Sequence, residues 1–205
     1  MIGPKEKRER ALGVRLGLKA ERALSPKSSM VRKPYKPGVH GPRGRNKALS
    51  EFGLQLREKS KFKISYGVDE RNLKRLFKMA QVAKGANGAK MLEFLERRLD
   101  NVVFQLGFAP SRGAARQIVN HGHINVNKRK VKSPGYTVRK GDVISVREGS
   151  LTKAGLGKRK EVLAKYDAPA WLRLDAEKME GEVLSLPSDI NAPFEINLLV
   201  ESFSK

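Results

Sequence analysis

Residues 111–126 read Ser111-Arg112-Gly113-Ala114-Ala115-Arg116-Gln117-Ile118-Val119-Asn120-His121-Gly122-His123-Ile124-Asn125-Val126, and the hydrophobic period changes partway along. Up to His121 the pattern is that of a short helix. Ser111 offers an N-cap oxygen, Gly122 a stop, and Arg112 and Arg116 share a face at i, i+4. From Ile124 onward the period is two, with Ile124 and Val126 alternating with polar neighbours. A helix handing over directly to small strands reads as an α+β fold.

Downstream, Asn127-Lys128-Arg129-Lys130 turns the chain and Val131 resumes the strand pattern. Ser133-Pro134-Gly135 and Arg139-Lys140-Gly141-Asp142 mark further turns, and Val143-Ile144-Ser145-Val146 is strand-like. Upstream, Leu92, Leu95, Leu99, Val102 and Leu106 form the apolar seam of one helix ended by Gly107 and Pro110. Glu93, Glu96, Arg97 and Asp100 lie off that seam. Residues 91–150 thus form a compact module of helices feeding antiparallel strands, with cations on the helix cap and the turns.

A helical domain is expected over residues 51–90. Ser50 caps a helix through residue 66 with Gly67 as its stop, and Asp69 caps a second that Gly85 ends. In the second, Leu73, Leu76, Phe77 and Ala80 make a core stripe while Arg71, Lys74, Arg75 and Lys78 repeat the spacing as a cationic ridge. Residues 1–50 read as a basic extended arm, because Lys33 to Lys47 mixes Pro and Gly with cations and cannot bury enough apolar surface to fold alone. Residues 151–205 carry short strand-like runs at Trp171–Leu174, Val183–Leu186 and Ile196–Val200. There is no internal repeat.

The charge is distributed unevenly. The 205 residues hold 43 Lys and Arg against 21 Asp and Glu, a formal net charge of +22. Residues 1–50 contribute +11, residues 51–90 +6, residues 91–150 +6 and residues 151–205 −1. Such an excess calls for a polyanion, since each neutralised phosphate releases a condensed counterion. The near-neutral last quarter suits packing on the helical domain and on a protein neighbour. Aromatic residues make up only 6% of the chain, too few for a platform that stacks single-stranded bases. Plentiful Arg and Lys instead suit folded RNA read through phosphate and 2′-hydroxyl contacts.

Several enzyme signals fail. The chain has no cysteine, which removes disulfides, thiol nucleophiles and cysteine zinc sites. His121-Gly122-His123 lacks a nearby carboxylate and reads as a turn, so no metal or other cofactor is expected. Thr152-Lys153-Ala154-Gly155-Leu156-Gly157-Lys158-Arg159 misses both the first Gly and the terminal Ser or Thr of a phosphate loop. Arg97-Arg98-Leu99-Asp100 resembles the Arg-Leu-Asp of some RNA pseudouridine synthases, but the separate catalytic domain of those enzymes has no counterpart here. Asp100 reads instead as a helix-surface ion pair or cap. No apolar run approaches the roughly 18 residues of a membrane span, and the N-terminal residues lack a signal-peptide core. The expectation is a cytoplasmic protein with no membrane partner; an organellar chain without its presequence would read the same.

Leu95-Glu96-Arg97-Arg98-Leu99-Asp100-Asn101-Val102-Val103, Ser111-Arg112, Ala115-Arg116-Gln117, His121-Gly122-His123-Ile124 and Gly141-Asp142-Val143-Ile144 together resemble the RNA-binding module of bacterial small ribosomal subunit protein four. Pro37-Gly38-Val39-His40-Gly41, Gln55-Leu56-Arg57-Glu58-Lys59 and Tyr66-Gly67-Val68 resemble that family's N-terminal half. Pro169-Ala170-Trp171-Leu172, Lys178-Met179-Glu180-Gly181 and the closing Val200-Glu201-Ser202-Phe203-Ser204-Lys205 resemble its C-terminal end. Some members carry zinc-binding cysteines in the arm, so this chain would be the cysteine-free, zinc-less kind.

The resemblance implies a helical N-terminal domain completed by the C-terminal segment, with the RNA-binding module inserted as a second domain. It implies a non-enzymatic constituent of the small ribosomal subunit, cytoplasmic, that binds 16S-type rRNA early and nucleates assembly of the subunit body. Contact with small-subunit protein five, an influence on translational accuracy and a place near the mRNA entrance are implied as well, and no independent homo-oligomer. Candidate rRNA contacts are Arg112, Arg116, Gln117, Lys128, Arg129, Lys130, Lys33, Lys36, Arg71, Lys74 and Arg75. Arg43, Arg45 and Lys47 are the candidates for mRNA. A free-standing RNA-modifying enzyme and a general nucleic-acid packaging protein are the alternatives. The first needs a catalytic domain, and the second has no need of such regular helix cores.

The charge alone generates a measurable expectation. Binding to structured small-subunit rRNA should weaken steeply with salt, each phosphate contact adding roughly 0.7–0.9 to the log–log slope. Filter binding across low to moderate KCl measures it, and a flat profile would show that the cations do not meet phosphate.

Overall fold

The computed structural model describes residues 4–19, 25–43, 48–150, 159–188, 190 and 194–204, and the chain divides into two compact units. The first takes Met1–Met91 and Ala192–Lys205, and the second takes Leu92–Asn191.

In the first unit, helix α1 (Lys5–Leu12) and the single turn α2 (Ser29–Arg32) precede helices α3 (Glu51–Tyr66) and α4 (Glu70–Val82). The caps lie where the sequence places them. The Gly53 N–H donates to Ser50 Oγ at 3.2 Å and the Asn72 N–H to Asp69 Oδ1 at 2.8 Å. Gly67, at φ 63°, takes the left-handed stop that an L side chain disfavours. The arm differs from the extended segment expected, because α1 is a true helix closed by Gly13.

Helix α9 (Ile196–Ser204) packs on α3 and α4, so the Ile196–Val200 run is helical and not a strand. Its aromatics explain the choice. The Phe203 ring lies 5.2 Å from Phe77, and just ahead of the helix the Phe194 ring lies 4.7 Å from Phe62. Leu199 is fully buried on the same side. Gln55 Nε2 donates to Glu201 Oε2 at 3.2 Å, which fixes the register of the packing.

The boundary between units falls within α5 (Asn87–Glu96). The single helix expected along the Leu92–Leu106 seam is in fact two, α5 and α6 (Leu99–Gln105). The break has a tertiary cause. Arg98 is extended and bridges to Thr137, the Val138 N–H donates to the Arg97 carbonyl at 2.9 Å, and the Leu99 and Asp100 N–H groups donate to the carbonyls of Tyr136 and Pro134 at 2.8 and 3.1 Å. The 134–138 loop thus takes the backbone bonds that a continuous helix would have made.

Helix α7 (Arg112–Asn120) then leads into strands β1 (Ile124–Val126), β2 (Arg129–Val131), β3 (Val143–Val146), β4 (Leu172–Asp175) and β5 (Glu180–Val183). A short helix α8 (Lys160–Leu163) lies between β3 and β4. The sheet is antiparallel in the order β2-β1-β3-β5-β4. Residues 151–205 therefore do not pack together on the helical domain. Pairing of β5 with β3 carries residues 172–183 into the second unit, and α9 alone completes the first. The hairpin also sits earlier than the Val183–Leu186 run suggested, because Asp175 accepts the Lys178 N–H at 3.0 Å and closes its turn there. That bond, with the Lys178 charge, holds the Asp175 carboxyl below the usual range.

The second unit's core joins α6 and α7 to the sheet through Leu99, Val102, Leu106, Ile118, Val119, Ile124, Ile144 and Val183. Gly181 sits in register between Ile144 and Leu174, and a Cβ there would lie 2.4 Å from both methyls of the fully buried Leu106. The strand needs glycine so that the helix can approach. Gly181→Val should cost about 1–3 kcal/mol through overpacking. Chemical denaturation of the full chain measures it, and wild-type stability would show that Leu106 is free to move aside.

Candidate nucleic-acid interface

Helix α7 presents the first group of cations. Arg112 Nε donates to Asn101 Oδ1 at 2.7 Å, and its guanidinium lies 4.9 Å from the centre of the Phe104 ring. Arg116 Nη1 lies 3.6 Å from Asp100 Oδ2, with its side chain 41% exposed against 5% for Asp100. Asp100 also accepts from Arg98 Nε at 3.1 Å and Nη2 at 2.9 Å. The ion pair expected on a helix surface is thus a buried one. Two adjacent residues of α6 hold the two arginines at one edge and leave much of the Arg116 guanidinium in solvent. Gln117 is exposed beside them.

More polar groups are buried here than the seam implied. Glu93, Glu96, Asp100 and Asn101 are all buried. Each is satisfied: Asn101 Nδ2 donates to Glu96 Oε2 at 2.6 Å, Gln105 Nε2 donates to the same oxygen, and Arg97 pairs with Glu93 at 3.0 Å. The network ties α5 to α6 across the helix break.

The β1–β2 hairpin presents the second group. Its turn is two residues long, Asn127 and Lys128, at φ 51° and 65°. Arg129 and Lys130, expected in a four-residue turn, belong to β2. Positive φ at both central positions is the type I′ geometry that matches strand twist. Asparagine suits it. Its side chain donates to Asp142 Oδ1 at 2.8 Å and accepts the Val143 N–H at 2.9 Å. Lysine does not suit it, since a left-handed L residue with a long side chain costs about 1–2 kcal/mol. Lys128, Arg129 and Lys130 are all exposed. A Cβ on Gly122 would lie 2.3 Å from Lys130 Cε and 3.4 Å from Lys132 Cε. Two lysines therefore pass over the C-terminal end of α7, where its dipole favours cations.

In the first unit, Arg71, Lys74, Arg75 and Lys78 are exposed on α4, with Leu73, Leu76, Phe77 and Ala80 buried on its other side. Lys33 and Lys36 are exposed on a loop whose carbonyls turn inward onto Arg10. Arg10 Nε donates to the carbonyls of Lys33 and Tyr35 at 2.9 and 3.1 Å, and Nη2 to that of Lys36 at 3.5 Å. The buried Glu9 carboxylate accepts the N–H groups of Leu16 and Leu18 at 2.9 and 3.2 Å. Arg57 of α3 donates to the Leu12 carbonyl at the end of α1. Sequence reasoning missed Glu9, Arg10 and Arg57. The one available signal was a charged run, Lys5 to Arg10, ending in Leu12 and a Gly stop. Arg43 is exposed, while Arg45 and Lys47 lie outside the described residues.

The remaining chemistry is structural. His123 Nδ1 lies 2.9 Å from Ser150 Oγ, and the His121 and His123 rings are 6.0 Å apart. Of the phosphate-loop-like stretch, 152–158 lies outside the described residues, and Arg159 donates to the Gly107 carbonyl at 2.9 Å. Burial raises the Tyr166 phenol above its usual range while its O–H donates to the Gln105 carbonyl at 3.0 Å. Among the described residues no helix is long and apolar enough to cross a membrane.

Comparison with known proteins accounts for both units. Residues 1–96 match the family described as Ribosomal protein S4/S9 N-terminal domain, and residues 97–144 match the S4 domain. The small ribosomal subunit protein uS4 of Caldicellulosiruptor bescii is 48% identical over 206 residues, covering 100% of this chain and 98% of the relative. The protein of that name in Acetivibrio thermocellus is 47% identical over 94% of this chain and 93% of its own, and that of Thermus thermophilus 45% identical over 100% and 98%. With both domains matched in order and the relatives aligned nearly end to end, the chain belongs to the uS4 family of small-subunit ribosomal proteins, structural constituents of the ribosome and not enzymes.

Proposed function

We propose that this chain binds 16S-type rRNA directly in the cytoplasm and nucleates assembly of the body of the small subunit. One observation carries the reading: Lys128 occupies a left-handed position that glycine or asparagine would fill at less cost, and its charge points outward with Arg129 and Lys130. Backbone strain accepted in order to place a cation is understandable if that cation has a phosphate to meet. Arg112, Arg116 and Gln117 of α7 would add contacts of their own. The ridge of Arg71, Lys74 and Arg75 and the arm residues Lys33 and Lys36 add contacts from the first unit.

The finer roles rest on charge. Residues 151–205 sum to −1, and the β4–β5 hairpin gathers Asp175, Glu177, Glu180 and Glu182 with Arg173 and Lys178 around a groove of about 610 Å³, where Arg173 pairs with Glu182 at 2.9 Å and Lys178 with Asp175 at 3.6 Å. A face of mixed, internally paired charge on so basic a chain suits a protein neighbour, here small-subunit protein five, and through that contact an effect on translational accuracy. Arg43, with Arg45 and Lys47, would hold the mRNA backbone at the entrance without reading sequence, since phosphate contacts position but do not specify.

Two tests follow. Lys128→Gly should raise the stability of the chain by about 1 kcal/mol while weakening rRNA binding and lowering the salt slope by roughly 0.7–0.9. Greater stability with undiminished affinity would remove the RNA role from this turn. Ribosomes carrying Arg43, Arg45 and Lys47 all replaced by Ala should assemble normally and slow on hairpin-containing messages. Equal elongation on structured and unstructured messages would leave those residues as rRNA anchors only.

A further inference from the structure

A cavity of about 380 Å³ lies beside α1, lined among others by Arg10, Tyr35, Lys36, Pro42, Leu49 and Arg57. Three of its lining residues are cations and none is an acid. Both guanidiniums are already fixed along one edge. Arg10 is held through Nε and Nη2 on the 33–36 carbonyls, and Arg57 through Nε and Nη2 on Leu12. A guanidinium carries five N–H donors, so each keeps an Nη1 edge that makes no hydrogen bond among the described residues. Lys36 adds an exposed ammonium at the rim.

The rest of the wall is different in character. Tyr35, Pro42 and Leu49 supply an aromatic ring and two apolar surfaces, with Tyr35 36% and Leu49 45% exposed. One side of the Tyr35 ring is taken by Arg10, whose guanidinium carbon lies 4.9 Å from the ring centre. A bare phosphate would need the cations and leave the apolar wall unused. The volume is also in the range of sites that enclose a small organic molecule. A base-paired stem would not enter a cavity of this size.

We infer that this cavity receives a single unpaired nucleotide of the bound RNA, its phosphate on Arg10, Arg57 and Lys36 and its base against Tyr35. This rests on the rRNA-binding reading and assigns it a specific site in the first unit, built on two arginines that also shape the arm. Pre-fixed guanidiniums lose little further freedom when the phosphate arrives.

The test separates charge from stacking in the full-length chain bound to small-subunit rRNA. Lys36→Gln removes one phosphate partner and should lower the salt slope by roughly 0.7–0.9. Tyr35→Leu keeps the apolar volume and removes the ring; it should weaken binding by roughly tenfold at unchanged slope. A collapsed arm would not divide the two readouts in this way, and thermal melting of both variants checks that the fold is kept. Ultraviolet crosslinking of the wild-type complex should attach one nucleotide to Tyr35. If both variants bind as wild type while Lys128→Gly binds weakly, the cavity assignment is overturned and rRNA binding stands. If the wild-type chain itself shows no salt-dependent binding to small-subunit rRNA, the rRNA reading falls and takes the cavity with it. A crosslink from Tyr35 to a protein segment in assembled subunits likewise overturns the inference.

Discussion

The capture of Arg97–Asp100 by the 134–138 loop is the constraint on which the second unit depends. Three backbone bonds link Arg97, Leu99 and Asp100 to a segment more than thirty residues away, in place of bonds that would have continued α5 into α6. The exchange turns Arg98 and Asp100 inward, where they form a two-bond ion pair. Replacing a buried pair of this kind by well-packed apolar residues is often neutral or stabilising, whereas removing one partner costs about 3–5 kcal/mol. Its value here lies in direction. Asp100 also reaches Arg116, and Asn101 reaches Arg112, so the groups that close the helix break also aim the outer arginines.

The same division of labour runs through the whole chain. Cations that build the fold engage carbonyls or buried acids along at least one edge: Arg10 on the 33–36 loop, Arg57 on Leu12, Arg97 on Val138 and Glu93, Arg98 on Asp100. Lys128, Arg129, Lys130 and the α4 ridge stand in solvent instead. A net charge of +22 repels itself in the free protein. Binding a polyanion relieves that repulsion and gains counterion entropy together.

What was legible in the sequence was local. Ser50, Asp69 and Ser111 cap helices because a side-chain oxygen meets an N–H three residues on, an interaction that needs no distant partner. The switch to strand period after Gly122 was legible for the same reason. The α5–α6 break was not, because Leu95, Leu99, Val102 and Leu106 keep helical spacing across it and only the remote loop interrupts the backbone. Ile196–Val200 reads equally as strand or helix over five residues, and the aromatic contacts of Phe194 and Phe203 with α3 and α4 decide it. At the site, exposed cations could be read directly, while Arg10 and Arg57, whose role is to hold carbonyls, resembled every other charge in the arm.

The arm shows how a segment too poor in apolar residues for a core still acquires one shape. Its loop carbonyls face inward and would be left without donors, at a cost comparable to the hydrogen bonds themselves. Some members of the family place cysteines for zinc in the arm; this chain has no cysteine and uses an anion and a cation in succession. Glu9 gathers N–H groups on one side of α1 and Arg10 gathers carbonyls on the other. Because adjacent helical residues point about 100° apart, two neighbouring positions organise two separate loops. Unlike a metal whose ligands close around it, a guanidinium satisfied along one edge still offers donors along another. Folding by arginine therefore leaves the arm with hydrogen-bonding capacity directed at whatever polyanion arrives.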